Sequence, residues 1–250
     1  MNSADRTQLG NYFAKAQRIV FLTGAGMSTE SGIPDFRSAT GLYNTGVSER
    51  VFDIVAFRDT PELFYEFARA FLGTIRQAKP NAGHRAMAAL ERQPGKQVQV
   101  ITQNIDMLHQ AAGSSRVHQV HGALEYSRCM TCGHRIKTEQ YWPAIEAGHV
   151  PRHEACNGVF KPEIVFFGEM LPQDVFTTAE RAVAEADLLV IAGTSLQVYP
   201  AAGLPAARRP DCRLVIINQT PTPLDNEADW RFDQRIGQVL ESAVQRAARH

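Results

Sequence analysis

An open parallel α/β sheet with a smaller lobe inserted into it is the fold class this sequence predicts. Three observations carry that expectation. First, four short, continuous apolar runs each stop at a small or polar residue. They are Arg18-Ile19-Val20-Phe21-Leu22-Thr23 before Gly24, Val98-Gln99-Val100-Ile101-Thr102 before Gln103, Leu188-Leu189-Val190-Ile191-Ala192 before Gly193, and Arg213-Leu214-Val215-Ile216-Ile217 before Asn218. Runs of this kind form strands covered on both faces, as in parallel sheets. Second, stretches with helical spacing lie between them, notably 82–92 and 174–186; strands alternating with helices give a parallel sheet. Third, two segments break the alternation and read as insertions: 38–80, rich in aromatics at helical spacing, and 126–160, which holds three of the four cysteines.

Composition narrows the class. The chain has 250 residues, 44% hydrophobic and 21% charged, which is ordinary for a folded globular protein and leaves material for a sizeable core. At about 150 residues per domain, one or two domains are expected. Lys plus Arg and Asp plus Glu both number 26, so the formal net charge is zero. Nucleic acid and anionic membranes are recognised by clustered positive charge, so neither is expected as a partner. No apolar run approaches the roughly 20 residues of a membrane span. The start, Met1-Asn2-Ser3-Ala4-Asp5-Arg6, lacks the apolar stretch of a secretory signal. A cytoplasmic protein is expected.

Sites in open α/β sheets form at the carboxyl ends of the strands. Here the first strand runs into Gly24-Ala25-Gly26-Met27-Ser28. A glycine-rich strand-to-helix turn lets backbone N–H groups approach a phosphate. The dinucleotide fingerprint needs a third small residue, yet Thr29 stands there, and no acidic residue closes a second strand about 20 residues on. The motif alone is equally a tight turn. Glu30-Ser31-Gly32-Ile33-Pro34-Asp35-Phe36-Arg37 then reads as a binding lid. In the 38–80 insertion, Phe52, Phe57, Phe64, Tyr65, Phe67 and Phe71 are expected as the core of a small lobe rather than a ligand stack.

The second strand ends in Gln103-Asn104-Ile105-Asp106, whose amides and carboxylate suit a ribose or carboxamide, or equally a helix cap. His121-Gly122 follows soon after; a histidine with an ordinary pKa near 6.5 serves as a general base at neutral pH. Cys129-x-x-Cys132 and His153-x-x-Cys156 lie 20 residues apart, at the top of the ribbon-type zinc range. Three thiolates and one imidazole make a closed tetrahedral shell, hence a structural metal. His134 and His149 compete for the fourth position, and a redox pair at Cys129 and Cys132 is the alternative reading. Cys212 opens a strand and is expected as a small buried apolar residue.

Taken together, Gly24-Ala25-Gly26-Met27-Ser28, Gly32-Ile33-Pro34-Asp35-Phe36-Arg37, Thr102-Gln103-Asn104-Ile105-Asp106 and His121-Gly122 resemble the sirtuins, NAD-dependent protein lysine deacylases. The likeness continues through Lys161-Pro162-Glu163-Ile164-Val165-Phe166-Phe167-Gly168-Glu169 and Gly193-Thr194-Ser195-Leu196-Gln197-Val198-Tyr199-Pro200, and spans about residues 18–220 in order. It is greatest to the compact bacterial and archaeal members. The resemblance implies a Rossmann-type NAD-binding large domain (1–37, 81–125 and 161–250), a helical module (38–80) and a zinc-ribbon module (126–160), with a cleft between them.

The resemblance also implies roles. Gly24, Ala25, Gly26 and Ser28 would hold the NAD phosphates, and Asp35, Phe36 and Arg37 would line the cofactor loop. Gln103 would bond the nicotinamide ribose, Asn104 would order the site, and Ile105 and Asp106 would hold the carboxamide. His121 would be the general base. Gly193, Thr194, Ser195 and Asn218 would bind phosphate and the adenosine half, with Ile236 on the adenine side. Val165, Phe166, Phe167 and Gly168 would form the acyl-lysine tunnel, and the peptide would add as a strand between Gly168-Glu169 and Gln197-Val198. The implied products are nicotinamide, free lysine and O-acetyl-ADP-ribose.

Three departures from the family pattern stand out. His153 stands where the family usually has the third zinc cysteine. Members that remove succinyl or malonyl groups carry a Tyr-x-x-Arg pair where Ala68 and Phe71 stand here, so uncharged acyl groups are expected. Arg235 flanks Ile236 where an acidic residue is common. The expected partner is acylated lysine in protein substrates, and the expected state a monomer. An NAD-dependent protein ADP-ribosyltransferase on the same scaffold is the alternative; a zinc-ribbon interaction or DNA-binding module and an ordinary NAD dehydrogenase fit the residues less well.

Overall fold

A computed structural model of the chain describes residues 3–248; the outermost positions of the 1–37 and 161–250 segments, and the first two residues of the start discussed above, lie outside the described residues. Helix α1 (Ser3–Lys15) precedes β1 (Arg18–Thr23). Short 3-10 turns at Ala25–Met27, Thr29–Ser31, Leu42–Thr45 and Glu49–Phe52 lead to α2 (Ile54–Asp59) and α3 (Pro61–Gln77). Then come α4 (Ala82–Glu91), β2 (Gln97–Thr102), α5 (Leu108–Ala111), β3 (Val117–Gln119), β4 (Gly122–Cys129), β5 (Arg135–Lys137), α6 (Trp142–Glu146) and β6 (Phe160–Ile164). The last part holds α7 (Gln173–Glu185), β7 (Leu188–Ala192), β8 (Arg213–Ile217), β9 (Trp230–Phe232) and α8 (Ile236–Ala247).

Six strands form one parallel sheet in the order β3-β2-β1-β7-β8-β9. All four strands expected from the apolar runs are its centre, with bounds within one residue of the sequence reading. The two edge strands, β3 and β9, are three residues each, too short to show a period in the sequence. Side chains of β1 alternate between two cores. Ile19 and Phe21 face Leu9, Phe13, Met87, Leu90 and Leu240 of α1, α4 and α8. Val20 and Leu22 face Ala182 and Val183 of α7 and Leu204. Both faces are thus apolar, which is why these runs lack the alternation of a one-sided strand. Helix α1 is tied down at its C-terminus by Lys96, whose ammonium donates to the carbonyls of Phe13, Ala14 and Ala16 at 2.6, 2.7 and 2.6 Å, where a cation suits the helix dipole.

The chain leaves β1 in one direction, to β2 and β3, and returns on its other side to β7, β8 and β9. The switch point therefore lies between the carboxyl ends of β1 and β7, where a crevice forms in folds of this kind. One expectation is corrected here. After Gly24 the chain makes 3-10 turns, not an α-helix, and no α-helix starts between β1 and Ile54. Gly32 at φ +88° and Ile33-Pro34 end the turns, because a left-handed residue followed by the restricted pre-proline position cannot continue a helix.

The two insertions do pack together. A three-stranded antiparallel sheet, β5-β4-β6, backs onto α2 and α3. Between them lies a third core of Val51, Ile54, Phe57, Phe64, Tyr65, Tyr141, Phe160, Ile164 and Phe166. Phe57, Phe64, Tyr65 and Phe166 are nearly fully buried, and Phe52 meets Phe64, Phe67 and Phe166 edge-on. Phe52, Phe57, Phe64, Tyr65 and Phe67 are therefore core, as expected, whereas Phe71 is half-buried and stacks on Phe67 outside that cluster. Tyr65 adds a hydroxyl bond to the carbonyl of Phe160, joining α3 to β6. The small sheet takes in 122–125 and 161–164, so it crosses both boundaries drawn at 125/126 and 160/161.

Candidate functional site

Four loops meet at the switch point, and backbone bonds knit them together. Gly24 N–H donates to Ala192 O (3.3 Å), Gly26 N–H to Gly193 O (2.9 Å), Gln103 N–H to Thr23 O (2.9 Å) and Gly193 N–H to Ile217 O (3.0 Å). The approach is so close that side chains are excluded. Gly193 sits at φ +66°, and a Cβ there would lie 2.3 Å from the Met27 nitrogen. A Cβ on Gly24 would lie 2.7 Å from Cβ of Thr194. Glycine is required at Gly24 and Gly193 by this contact: Gly24-Ala25-Gly26 is a tight turn in which the Gly24 and Gly26 N–H groups are bonded and the Ala25 N–H has no backbone acceptor among the described residues. Thr194 and Ser195 N–H groups find no acceptor among the described residues. Ile236 at the start of α8 closes the floor, its Cδ1 2.9 Å from a Cβ placed on Gly193, and Glu30 accepts from Gly237 N–H at 2.9 Å, an acidic group at a helix N-terminus.

Polar side chains here satisfy one another. Asn104, buried, donates from Nδ2 to Gly24 O (3.0 Å) and to Ser28 Oγ (3.1 Å). Ser28, 1% exposed, donates to Asp106 Oδ2 at 2.5 Å, and Leu108 N–H donates to Asp106 Oδ1 at 2.9 Å. Burial raises the Asp106 pKa, and these donors hold it back. The N-cap position of α5 is Met107, which makes no side-chain cap bond; Asp106, one residue further back, holds the first N–H of the helix. Thr102 Oγ1 accepts from Asn104 N–H (3.1 Å), and Gln103 Nε2 donates to Thr194 Oγ1 (3.0 Å). Just after β8, Asn218 is buried and its Nδ2 donates to Thr220 O at 2.8 Å. Ile105 turns toward the small lobe and packs on its core.

His121 lies between β3 and β4, half-buried, with Nδ1 3.1 Å from Gln103 O. A carbonyl only accepts, so Nδ1 carries the proton and Nε2 is left with a free lone pair. Burial lowers the His121 pKa, and the Gln103 carbonyl opposes that by favouring the charged ring. The ring is therefore neutral at pH 7 and oriented through its other nitrogen.

The Asp35-Phe36-Arg37 loop packs on the small lobe. Asp35 Oδ1 accepts from Arg37 N–H (3.0 Å) and Ser38 N–H (2.7 Å). Phe36 packs tilted against Tyr43 and edge-on against Phe52 of the small lobe, with centroids 5.4 and 5.7 Å apart, and Arg37 lies 5.6 Å over the Tyr43 ring. The Val165–Gly168 segment is held by Val165 N–H to His121 O (2.9 Å), Phe167 N–H to Phe52 O (2.7 Å) and Ile54 N–H to Phe167 O (3.1 Å). Val165 is half-buried and Phe167 is 40% exposed, but Phe166 is 1% exposed. The alternation of an extended segment turns Phe166 into the aromatic core and Phe167 outward. Glu169 is half-buried, Val198 half-buried beside exposed Gln197.

In the zinc-module segment the donors converge. Cys129 Sγ lies 3.5 Å from Cys156 Sγ; His153 Nδ1 lies 3.2 Å from Cys132 Sγ and 3.3 Å from Cys156 Sγ. All four atoms lie within 4.8 Å of one another. Ligands about 2.0–2.3 Å from one tetrahedral zinc stand roughly 3.3–3.8 Å apart, so the donor set and spacing fit that ion. His134 is outside the set but stacks on His153 with centroids 4.6 Å apart, and His149 is not part of it. Cys212 is buried just before β8, as expected.

Two groups beside the site were not singled out in the sequence. His84 and His109 are fully buried with rings 4.7 Å apart, and His109 Nε2 meets Thr23 Oγ1 at 3.0 Å. Burial pushes their pKa values down, to about 4 and about 3. Asn81, which caps α4, donates to Met27 O at 2.8 Å. Isolated histidines on apolar helices carry no sequence signal that separates a buried pair from surface residues.

Comparison with known proteins matches this arrangement. The model of the Sir2 family matches residues 24–200. The NAD-dependent protein deacetylase of Clostridium acetobutylicum is 40% identical over 242 residues, covering 95% of this chain and 97% of that one. The NAD-dependent protein deacetylase of Cutibacterium acnes is 44% identical, covering 96% and 97%. A solved Sir2 structure with a p53 peptide and NAD+ superimposes with a TM-score of 0.88 at 39% identity, covering all of both chains.

Proposed function

The chain belongs to the Sir2 family, and on that premise we propose which of its residues carry out the reaction. It is an NAD-dependent protein deacetylase, forming nicotinamide, free lysine and O-acetyl-ADP-ribose. The observation that carries the assignment of the base is the His121 ring, fixed through Nδ1 on Gln103 O with Nε2 free. The N–H groups of Ala25, Thr194 and Ser195, which have no backbone acceptor among the described residues, suit the phosphates of NAD, and Gly24, Gly26 and Gly193, where a Cβ is excluded, hold these loops close enough to present them, with Ser28 beside them.

When bound, NAD supplies the ribose carbon that takes the acyl oxygen as nicotinamide leaves. The chain does the rest. Ser28, Asn104 and Asp106 form a bonded network that presents fixed polar groups with no reorganisation. Ile105 and Asp106 hold the carboxamide, Gln103 the ribose, and Asn218 and Ile236 the adenosine half. Asp35, Phe36 and Arg37 cover the cofactor, and Phe36 on its aromatic partners excludes water. Val165, Phe167 and Gly168 line the acyl-lysine path, with Phe166 backing it. The peptide backbone adds between Gly168-Glu169 and Val198. His121 Nε2 accepts the proton that leaves a ribose hydroxyl. Cys129, Cys132, His153 and Cys156 hold one structural zinc, which takes no part in the chemistry.

The same reading divides the chain into 1–37, 81–125 and 161–250, 38–80, and 126–160, with the small sheet bridging the parts. Among the described residues no helix is long and apolar enough to cross a membrane. A monomeric cytoplasmic enzyme with no nucleic-acid partner completes the proposal, supported by the neutral charge. The test of the site is turnover of an acetyl-lysine peptide by His121→Ala and Asn104→Ala beside the native enzyme. Loss in both with ADP-ribose binding intact supports it; native turnover by His121→Ala overturns it.

A further inference from the structure

Lys161 is 7% exposed, and it is a buried cation the reaction does not use. Its ammonium lies 2.8 Å from Glu169 Oε2, 2.7 Å from Ile164 O and 3.3 Å from Pro162 O, and 4.2 Å over the Phe166 ring. Glu169 Oε2 also accepts from Phe166 N–H at 2.8 Å. Every partner falls within residues 162–169, so the pair closes one circuit around the turn that carries Val165, Phe167 and Gly168. Burial lowers the Lys161 pKa, and Glu169 opposes that, keeping the cation. A buried ion pair of this kind adds little to stability compared with apolar residues of the same size, so fixing one conformation is its better-attested use. The turn needs fixing: Gly168 is at φ +87°, and Phe166 and Phe167 must point to opposite sides.

We propose that Lys161 and Glu169 are positioning residues that set the peptide-binding turn in its binding conformation before substrate arrives. The proposal rests on the reading that this turn receives the acyl-lysine peptide. Removing the clamp leaves the NAD side untouched, since no bond of the circuit reaches β1, β2, β7 or β8. The cost of ordering the turn then falls on peptide binding.

The experiment is steady-state kinetics on an acetyl-lysine peptide for the native enzyme, Lys161→Arg, Lys161→Met, and the double variant K161M/E169Q. ADP-ribose affinity and thermal midpoint are measured on each. The Glu169→Gln change in the double variant keeps an acceptor for Phe166 N–H and removes the unpaired carboxylate, so that variant folds even where Lys161→Met does not. The expected result is a peptide KM raised at least fivefold in Lys161→Met and in K161M/E169Q with ADP-ribose affinity within twofold in both, kcat changed less than threefold in Lys161→Met, and peptide KM near the native value in Lys161→Arg. An unchanged peptide KM in a folded double variant overturns the proposal. So does a loss of ADP-ribose affinity equal to the loss of peptide affinity, because that marks general disruption. Absence of turnover by the native enzyme would instead count against the deacetylase reading.

Discussion

The carboxyl edge of the parallel sheet and the small lobe facing it are built on different principles. At the sheet edge, four loops are locked by backbone bonds and their polar side chains are already paired: Asn104 with Ser28, Ser28 with Asp106, Gln103 with Thr194. The small lobe is held by an aromatic core and a three-stranded sheet, and carries four side chains placed so that they could hold a metal ion. One side is preorganised by strands with a large core behind them. The other is a small assembly whose order depends on a few groups. Reactivity belongs on the rigid side and substrate accommodation on the adaptable one, since positioned electrostatics lose value when their frame moves.

The largest expected effect breaks the rigid side chemically while leaving it folded. His121→Ala should lower kcat about 10²–10⁴-fold, as loss of a general base does, with little change in thermal midpoint; single-turnover kinetics at saturating NAD check it. Gly193→Ala attacks the frame of the same side. Its Cβ would meet the Met27 nitrogen at 2.3 Å from a residue at φ +66°, so ADP-ribose affinity should fall at least about tenfold. Calorimetric titration with ADP-ribose reads it.

The small lobe should respond differently. His153→Ala should lose the zinc, whereas His134→Ala and His149→Ala should keep one per chain, because only His153 shares the donor set. Metal analysis of purified variants separates them, and retention of zinc by His153→Ala would name another fourth ligand. Stability should also depend on pH through the buried pair behind β1. His84 and His109 titrate near 4 and 3 when folded and near 6.5 when unfolded. The unfolded chain therefore binds more protons below pH 6.5. Their stabilising contribution is complete above that pH and is lost as pH falls toward the folded values. Urea unfolding at pH 5 should give about 2–4 kcal/mol less stability from this pair than at pH 7, a difference that His84→Asn should reduce.

The smallest effect concerns acyl choice. Ala68 and Phe71 on α3 are apolar, and Phe71 stacks on Phe67 at 5.2 Å. No cation is offered there to an acidic acyl group, so an acetylated peptide should turn over faster than its succinylated form; the reverse order would relocate the acyl-binding determinants.

How much of this was legible in the sequence follows the same division. The strands β1, β2, β7 and β8 are covered on both faces, so each is a dense apolar run with a sharp polar stop, and the stop marks the site. Edge strands β3 and β9 have three residues and no period to read. Strand β4 alternates weakly because it is a small, half-exposed sheet's middle strand, burying Ser127 and Cys129 rather than a row of aliphatics. The zinc donors were legible from spacing, since side-chain chemistry and separation both limit the choice. Burial of Phe166 beside exposed Phe167 was not: adjacent identical residues carry no sign of which faces inward. The Lys161–Glu169 clamp was hidden for a related reason, as a lysine in a sequence reads as a solvated charge.

On the proposed reading, the cleft transfers an acetyl group from lysine to ADP-ribose with His121 as base. Mass spectrometry of an acetyl-lysine peptide with the purified enzyme, with and without NAD, tests it most directly. The predicted result is loss of the acetyl group only with NAD, matched by O-acetyl-ADP-ribose and nicotinamide, and absent in His121→Ala. NAD consumed with the acetyl group retained and ADP-ribose attached to protein would contradict it.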